Sequence, residues 1–401
     1  MKIKEFAVVV NGATPSSSHN EYYDGEIVWF TPKDLSDQGT KYVSIGERTI
    51  TQKGYDSCST KLIPAYNVLM SSRAPIGLLA INTVECCTNQ GFKSFDIDKT
   101  KCDPEYLYYY LKYHIKEVEA LGSGTTFKEV SKEAMEEYDV YLPELSIQKK
   151  LVSVLSYIDD KISLNNSICA DLEAMAKQLY DYWFVQFDFP DENGKPYKSS
   201  GGKMVWNEKL KREIPEGWEV KELKDITNEG NDKKYSLDEN VATLDLSVMP
   251  SDSMVLSSLN ESDNFQTNLF EMKKGDILFG SIRPYLKKAG IAPCDGAVAG
   301  TVHCFRPKEK YDFNFIAITL CNERMFNYAT NASQGTKMPV VTSDTILNYK
   351  VAYNQSISQK FNSLDIKDVM SACIMENQQL ISLRDFLLPM LMNGQITIKK
   401  H

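Results

Sequence analysis

Apolar residues recur every seven positions in two long segments of the chain. One row begins at Leu151 and a second row at Leu155, and both continue for about four heptads. The same register returns 211 residues later. This pattern predicts two helices of roughly 33 residues, about 50 Å long, that pair with each other as a coiled coil. The predicted seam positions are Leu151, Leu155, Ile158, Ile162, Asn165, Leu172, Leu179, Ile366, Val369, Cys373, Glu376, Leu380, Leu383 and Leu387.

A polar residue interrupts the first row in each segment, Asn165 in one and its equivalent Glu376 in the other. Two interpretations are open. Buried polar side chains at these positions would fix the register of the pair. Alternatively, the helices splay apart here and both side chains are hydrated.

Two short segments upstream of these helices are near copies of each other. The stretch "GSGTTFKEVS" (122–131) aligns without a gap with "SQGTKMPVVT" (333–342), so that Gly124 matches Gly335 at 335 − 124 = 211 residues. The threonine that follows each glycine matches as well. The chain therefore carries the same short motif in two places.

The match continues upstream of these segments. The stretch "NVLMSSRAPIGLLAI" (67–81) aligns with "DILFGSIRPYLKKAGI" (276–291), with Arg73 over Arg283. The spacing stays between 209 and 211 residues over about 100 positions, which indicates a tandem duplication.

Each copy contains short β-branched or aromatic runs broken by Gly, Pro, Asn and Ser, and then a helical segment that Asp103 and Pro104 open in the first copy. The predicted fold class is α+β, with two similar mixed α/β domains separated by the two long helices. The expected boundaries are 1–145 for the first domain, 146–186 for the first long helix, 187–214 for a linker, 215–355 for the second domain and 356–398 for the second long helix.

Composition narrows the class of protein. At 401 residues, 42% hydrophobic and 25% charged, the chain is typical of a soluble globular protein with two domains. It shows neither a membrane span nor a secretory signal, so we expect a cytoplasmic protein without a membrane partner. Nine cysteines without a CxxC pair and four scattered histidines predict reduced thiols and no metal site.

The net charge of −9 argues against a protein that coats nucleic acid non-specifically, but it allows local basic faces. The densest basic stretch, "KLKREIPEGWEVKELK" (209–224), also contains four glutamates. It is more typical of a solvated surface of mixed charge than of a binding site.

If the two long helices pair antiparallel, the two related domains present related surfaces in opposite orientations. Duplex DNA has strands of opposed direction and suits that arrangement. At the repeated motif, Gly124 and Gly335 can take positive φ and let backbone N–H groups approach a phosphate. The alternative is a structural hinge that does not contact DNA.

The chain resembles the specificity subunit of type I restriction-modification systems over essentially its full length. The resemblance rests on "IVWFTPKDL", "TNQGFKSF", "DPEYLYYYLK", "GTTFKEVSKEAMEEYDVYLPELSIQKKLVSVLSYIDDKI" and "IPEGWEVKELKDI". It implies two target-recognition domains that each read half of a split DNA sequence. It also implies that the two long helices pack as an antiparallel coiled coil, which sets the gap between the halves. The second copy departs from the pattern, because "NQSISQKF" (354–361) replaces "PELSIQKKL".

The resemblance also implies the partners. Two methyltransferase subunits would use S-adenosylmethionine to modify adenine at N6, and two motor-nuclease subunits would use ATP and Mg²⁺. No cofactor is expected in this chain. The departure in the second copy bears on how alike the two methyltransferase docking surfaces are.

Arginine, lysine, glycine and hydroxyl residues near the repeated motif are the candidate DNA contacts. They are Arg73, Lys93, Gly124, Thr125, Thr126, Lys128, Arg283, Lys287, Lys288, Gly335, Thr336 and Lys337. Because Arg73 and Arg283 align, we expect them to share a phosphate contact. Asn89 and Gln90 fit either adenine readout or a turn, and the tyrosine run 108–110 favours core packing over base stacking.

Other classes of protein remain as alternatives. The chain lacks the Gly-rich cofactor loop and the Asn/Asp-Pro-Pro-aromatic motif of a self-sufficient adenine methyltransferase. A loose nuclease pattern joins Pro190-Asp191 to Glu219-Val220-Lys221, but its parts lie in the linker and at the opening of the second domain. A scaffold whose two domains bind proteins is the third alternative.

Overall fold

The computed structural model describes residues 1–124, 128–230, 234–235, 241–256, 259, 268–335 and 337–395. Contacts within the chain divide it into two compact units. The first is Met1–Asp159 with the segment from Ser382 onward, and the second is Asp160–Ile381. Each unit contains one predicted domain and part of both long helices.

The first domain combines two sheets with short helices. Its strands are β1 (Ala7–Asn11), β2 (Tyr23–Phe30), β3 (Tyr42–Val43), β4 (Arg48–Ile50), β5 (Val68–Ser72), β6 (Ile76–Asn82), β7 (Cys86–Thr88) and β8 (Lys93–Ile97). Its helices are α1 (Pro32–Gln38), α2 (Gln52–Asp56), α3 (Pro104–Tyr113), α4 (Ile115–Ala120) and α5 (Lys132–Glu136). The main sheet has the order β1-β8-β5-β6-β3, and β4-β2-β7 form the second sheet.

The long helix α6 (Leu145–Tyr180) follows and continues as a π-helical turn, Asp181–Val185. The next strands are β9 (Met204–Asn207), β10 (Arg212–Pro215), β11 (Glu219–Glu222), β12 (Thr227–Glu229), β13 (Lys234–Tyr235), β14 (Thr243–Leu244), β15 (Leu269–Met272), β16 (Ile277–Gly280), β17 (Ala289–Ile291), β18 (Gly296–Ala299), β19 (Val302–Pro307) and β20 (Lys350–Tyr353). The remaining helices are α7 (Leu223–Ile226), α8 (Phe313–Leu320), α9 (Glu323–Ala332), α10 (Ser343–Leu347), α11 (Gln355–Phe361) and α12 (Ile366–Met392).

The main sheets of the two domains share one strand order. It is β1-β8-β5-β6 in the first domain and β12-β19-β16-β17 in the second. In each domain the strand at one edge pairs antiparallel with the strand that precedes the helix α3 or α8. The predicted α+β class with two duplicated domains is therefore confirmed in the topology as well as in the sequence.

The helix α3 shows why this part of the sequence folds as predicted. Asp103 caps it by accepting hydrogen bonds from the backbone N–H groups of Glu105 and Tyr106, and Pro104 fills the first turn, where no N–H is needed. The tyrosines 108–110 are buried, as core packing requires. Burial raises the pKa of Tyr109 above its usual range.

The predicted linker, 187–214, is partly built into the core of the second unit. Phe187 and Phe189 are buried, and their rings lie 5.3 and 5.1 Å from the ring of Trp218. The strands β9 and β10 form an antiparallel hairpin in the same segment. Aromatic packing thus orders part of the stretch that was expected to be a linker.

Within the second unit, α6 and α12 lie side by side. Asn165 of α6 donates hydrogen bonds to the side chains of Glu376 (2.8 Å) and Asn377 (2.9 Å) of α12. The thiol of Cys169, one turn later in α6, contacts that of Cys373, one turn earlier in α12. The two helices are therefore antiparallel.

A local two-fold axis passes through this part of the helix pair. Asn165 contacts Glu376, and Asn377 donates to the Asn166 side chain at 2.8 Å; both pairs are 211 residues apart, which is the spacing of the duplication. In a symmetric antiparallel pair, residues meet their own equivalents only at the axis. Asn165 is 1% exposed and fixes register, whereas the Glu376 side chain is 45% exposed and pairs with Lys161 at 3.2 Å.

In the first unit the opposite ends of the same helices meet. Asp159 of α6 accepts hydrogen bonds from Arg384 of α12 at 2.9 Å and from the hydroxyl of Tyr109 in α3 at 2.6 Å. This network ties both long helices to the first domain. The core that they share with it contains Leu151, Val152, Leu155, Leu388, Leu391 and Met392.

The structure does not bury every residue that was predicted to lie in the seam between the two long helices. The buried members are Leu151, Leu155, Ile158, Asn165, Ile366 and Cys373, and the half-buried ones are Ile162, Leu172, Leu179, Val369, Glu376, Leu380 and Leu387. Leu383 is 46% exposed, so its assignment to the seam is wrong. A strict seven-residue row drifts by about 20° per heptad around a straight helix, and Leu388 and Leu391 are buried in its place.

The second long helix was expected to run unbroken over 356–398, but α11 ends at Phe361 and α12 begins at Ile366. The Asn314 side chain donates hydrogen bonds to the carbonyl oxygens of Phe361 (3.0 Å) and Leu364 (2.7 Å), which holds the chain out of helical geometry between them. Among the residues described, no helix is both long and apolar enough to cross a membrane.

Candidate nucleic-acid interface

The repeated motif forms a loop that is closed in the same way in both domains. Ser123 and Glu129 exchange two backbone N–H···O=C hydrogen bonds of 3.0 Å. Their equivalents, Gln334 and Val340, exchange two of 2.9 Å. Because backbone groups make these bonds, the closure does not depend on which side chains the loop carries.

Each loop is also fastened to the main sheet of its domain. The N–H of Val130 donates to the carbonyl of Ser72 at 3.0 Å, and the N–H of Val341 donates to the carbonyl of Ser281 at 2.9 Å. Ser72 ends β5, and Ser281 directly follows β16, the equivalent strand. The loop is thus held at a defined place beside the sheet.

The glycines in the two loops have the predicted backbone conformation. Gly124 has φ +123° and Gly335 has φ +102°. Residues other than glycine rarely adopt these backbone angles. At Gly335 an added Cβ would lie 3.2 Å from the carbonyl oxygen of Met338. Both glycines are exposed. The candidate residues Thr125, Thr126 and Thr336 lie outside the described residues.

A carboxylate clamps the loop of the first domain from behind. Glu129 accepts from the Lys93 ammonium at 3.0 Å and lies 3.7 Å from the Arg73 guanidinium. Lys93 is 6% exposed and its charge is neutralised, so the structure removes it from the exposed phosphate contacts. Sequence reasoning missed Glu129; a lone lysine inside the apolar run "GFKSF" was the available sign that a buried cation needed an anion.

Among the described residues, the Lys93–Glu129 clamp is not repeated at the equivalent positions of the second domain. Val340 stands where the first domain has Glu129, and His303 stands where it has Lys93. The His303 ring nitrogen Nε2 lies 3.0 Å from the carbonyl oxygen of Val341. The other ring nitrogen, Nδ1, lies 3.9 Å from the Glu229 carboxylate. A backbone contact and a longer contact to a different carboxylate therefore replace the Lys93–Glu129 pair.

The alignment of Arg73 with Arg283 is wrong by one residue. The shared tie from Ser72 and Ser281 places Arg283 opposite Ala74, and both have positive φ, +50° and +47°. The sequence alignment paired the two arginines because they are the same residue type, and this shifted it by one residue from the strand register. The two arginines therefore need no common role: Arg73 belongs to the Glu129 clamp, whereas the Arg283 side chain is exposed.

The other candidate cations differ in their surroundings. Lys287 pairs with Glu323 at 3.3 Å, and the Lys288 ammonium donates to the Leu246 carbonyl. Among the described residues, the candidates that are exposed and have no ion pair are Lys128, Arg283 and Lys337. These three are the cations that the loops and their neighbours leave open to an anion.

The structure gives less support to base readout by Asn89 and to a nuclease or metal site. Asn89 forms a turn by accepting the Gly91 N–H at 2.8 Å. Asp191 of the loose nuclease pattern accepts the N–H groups of Asn193 and Lys195, both at 2.8 Å. In the part of the chain that the structure describes, no three His, Cys, Asp or Glu residues are grouped as a metal site would require.

Comparisons with known proteins agree on one family. The family model described as "Type I restriction modification DNA specificity domain" matches residues 1–174 and 215–368. The type I restriction enzyme MjaIX specificity subunit of Methanocaldococcus jannaschii is 32% identical over 100% of this chain and 93% of its own length. The EcoR124I/EcoR124II specificity subunit of Escherichia coli is 27% identical over 45% of each chain.

A solved structure has the same fold. The crystal structure of a type I restriction-modification S subunit from M. genitalium aligns with a TM-score of 0.56 over 100% of this chain and 96% of that one. The identity is 15%, so the likeness concerns the arrangement of the elements.

Proposed function

The chain belongs to the DNA specificity family of type I restriction-modification systems, and from this premise we propose that it reads a split DNA sequence for such a complex. Each domain contacts one half of the target. The paired helices α6 and α12 set the length of DNA between the halves. The chain supplies recognition, and the catalytic chemistry comes from partner subunits.

The observation that carries this proposal is the repeated loop. Two loops with the same backbone hydrogen bonds and a positive-φ glycine occur once in each domain. A glycine exposes its own and neighbouring N–H groups to a close phosphate, and Lys128 and Lys337 add positive charge to the same loops. A loop that occurs once in each domain suits a ligand, such as duplex DNA, that both domains contact.

The methyltransferase partners are expected to use S-adenosylmethionine to modify adenine at N6, and the motor-nuclease partners are expected to use ATP and Mg²⁺. A stripe on α6 supports a protein partner: Leu164, Ile168 and Met175 are 54%, 39% and 47% exposed at helical spacing. Exposed apolar residues in a row on one helix face are typical of an interface. We propose two copies of each partner, and a cytoplasmic complex.

The alternative of a protein-binding scaffold makes a different prediction. A DNA reader should shift a random duplex in a gel at low salt, alone or with its methyltransferase partner, and lose the shift as salt rises. A matched pair of variants sharpens the test. Lys128→Gln should weaken the shift, whereas Lys116→Gln, an equal charge change at an exposed lysine on α4, should not. No shift under any of these conditions favours the scaffold.

The bases that are read can be found in the host. Methylation-sensitive sequencing of a strain that carries the intact system should reveal a split motif with modified adenine on both strands. Deleting one heptad from each long helix should shorten the gap and leave both half-sites unchanged. Altered half-site bases in that strain would contradict the assignment of spacing to the helices.

A further inference from the structure

A cavity of about 340 Å³ lies inside the second unit, away from the loop motif. It is lined by the end of α6, the β9–β10 hairpin, the connection between α8 and α9, and β20. Four of its lining side chains are cations, Lys209, Arg212, Arg324 and Lys350, and none is an acid. Three separate regions of the sequence supply these four charges.

These cations are not neutralised within the described part of the protein. The Arg212 guanidinium contacts only neutral groups, the carbonyl of Phe184 at 3.5 Å and the ring of Phe187 at 4.7 Å. Burial, and then the nearby charge of Arg324, lower the pKa of Arg212. Lys209, Arg324 and Lys350 form no ion pair with any described carboxylate, although the chain has more acids than bases.

Two acids that are adjacent in sequence to cavity cations pair with other lysines. Glu208 pairs with Lys211 at 2.9 Å, and Glu323 pairs with Lys287 at 3.3 Å. Both lie next to a cavity cation in sequence without serving as its counterion. The positive charge of the cavity is therefore available to a ligand.

The start of a helix adds to the positive character of the cavity. The hydroxyls of Tyr180 and Thr319 also line it, but Thr319 donates to the Phe315 carbonyl at 2.7 Å and Tyr180 lies 2.9 Å from Thr319, so their protons are used within the protein. The helix α9 begins at the same place, with Asn322 as its cap, and its N-terminal end adds a partial positive charge. The cations and the helix end thus favour the same kind of ligand.

The first domain does not share this arrangement, although it comes from the same duplication. Asp139 stands at the position equivalent to Lys350, 211 residues earlier. Tyr138, the equivalent of Tyr349, donates its hydroxyl to Glu117 at 3.1 Å. The cavity is therefore a property of the second copy, and it is not explained by a DNA contact that both domains inherited.

We propose that this cavity is a binding site for a phosphate-bearing anion, either a free nucleotide or a phosphodiester of nucleic acid. Known small-molecule sites occupy about 300–1,000 Å³, so the volume fits a mononucleotide or a diphosphate better than a lone phosphate ion. The lysines and arginines supply charge-assisted hydrogen bonds to the phosphate oxygens. The site goes beyond the reading of DNA by the two loops.

The test is calorimetric titration of the full chain with inorganic pyrophosphate and with AMP, at constant ionic strength. The variant that carries both Arg324→Gln and Lys350→Gln changes two exposed side chains, so it should fold normally. It should bind these probes about tenfold more weakly for each cation removed. Lys116→Gln, on the first domain, is the control and should bind as the unmodified chain does.

A second arm distinguishes the two sources of the phosphate. Weaker binding of random duplex by the double variant, together with competition by pyrophosphate, assigns the site to nucleic acid. Unchanged duplex binding with lost pyrophosphate or AMP binding assigns it to a free nucleotide. Both results support the site, and neither pyrophosphate nor AMP requires sequence recognition or partner subunits, so the site can stand if the DNA-reading proposal fails.

Three results would overturn the proposal. The first is that none of the phosphate probes binds and duplex affinity is unchanged in the double variant. The second is equal weakening by Lys116→Gln, which would mean a general charge effect. The third is binding of poly-glutamate without binding of pyrophosphate, which would assign the cavity to an acidic protein segment.

Discussion

The loops at 123–129 and 334–340 have the same backbone hydrogen bonds but different support behind them. In the first domain Glu129 holds a buried Lys93, and in the second Val340 and His303 occupy those positions. Backbone bonds survive divergence because every residue except proline can make them. The side chains behind a loop are free to change only as matched sets, because a buried charge without its partner is costly.

Replacing the loop glycines should have the largest effect on both loops. We expect Gly124→Ala and Gly335→Ala to cost about 1–3 kcal/mol of local stability each, since alanine does not tolerate these φ angles. Hydrogen exchange at the amides of Ser123, Glu129, Gln334 and Val340 measures the loss. Gly39→Ala, at a positive-φ position with open space around it, is the control and should leave those amides unchanged.

Removing the buried cation should destabilise the loop of the first domain more than the equivalent change destabilises the loop of the second domain. Lys93→Met leaves Glu129 without its nearest partner and should cost about 1–3 kcal/mol, whereas His303→Met should cost less. Adding Glu129→Gln to Lys93→Met should restore part of the stability. Exchange at the Val130 amide, compared with that of Val341, reports the difference. Equal losses in both domains would contradict the contrast between them.

The polar contact at the axis of the helix pair should have a smaller effect. Asn165→Ala removes two hydrogen bonds to α12 and should cost about 1 kcal/mol. Asn166→Ala removes only the single hydrogen bond from Asn377, at an exposed position, so it should cost less, within about 0.5 kcal/mol. Urea unfolding followed by tryptophan fluorescence suits this test, since Trp183, Trp206 and Trp218 lie in the second unit.

The smallest effect concerns Asp312, the residue before α8, whose side chain makes no capping hydrogen bond to that helix. Burial raises the pKa of Asp312, whose carboxylate accepts hydrogen bonds from Tyr353 and Ser358. Because the folded state holds the proton more tightly, Asp312 reduces stability at neutral pH, and that cost is relieved as pH falls through its raised pKa. Asp312→Asn should therefore stabilise the second domain at neutral pH by a few tenths to about 1 kcal/mol. The gain should vanish near the ordinary aspartate pKa of about 4; a gain that is independent of pH would contradict this assignment.

The sequence was sufficient for features that repeat along the chain. Heptads and a constant spacing near 211 residues predicted two long helices and two related domains, because periodicity reflects which face is buried. It was insufficient where residues from distant segments meet. The Lys93–Glu129 pair joins a strand to a loop, and Leu383 left the seam through the slow drift of a helix.

The cationic cavity is another feature that could not be predicted from the sequence. Locally, Lys209 and Arg212 stand in a stretch of alternating charge, and Lys211 does pair with Glu208, as a solvated surface would. Only the fold places Arg324 and Lys350 beside them. Glu208 and Glu323, which are adjacent in sequence to Lys209 and Arg324, are not their counterions.

The two-fold axis beside Asn165 has a consequence for changing the length of the helix pair. Residues of α6 that precede Asn165 face residues of α12 that follow Asn377, as Asp159 faces Arg384. A heptad removed before Asn165 is balanced only by one removed after Asn377. Taking the second heptad from before Glu376 would leave unmatched overhangs of about 10 Å at both tips. To change the length of the helix pair, the deletions in α6 and α12 must therefore be equal in size and must lie in the parts of the two helices that face each other.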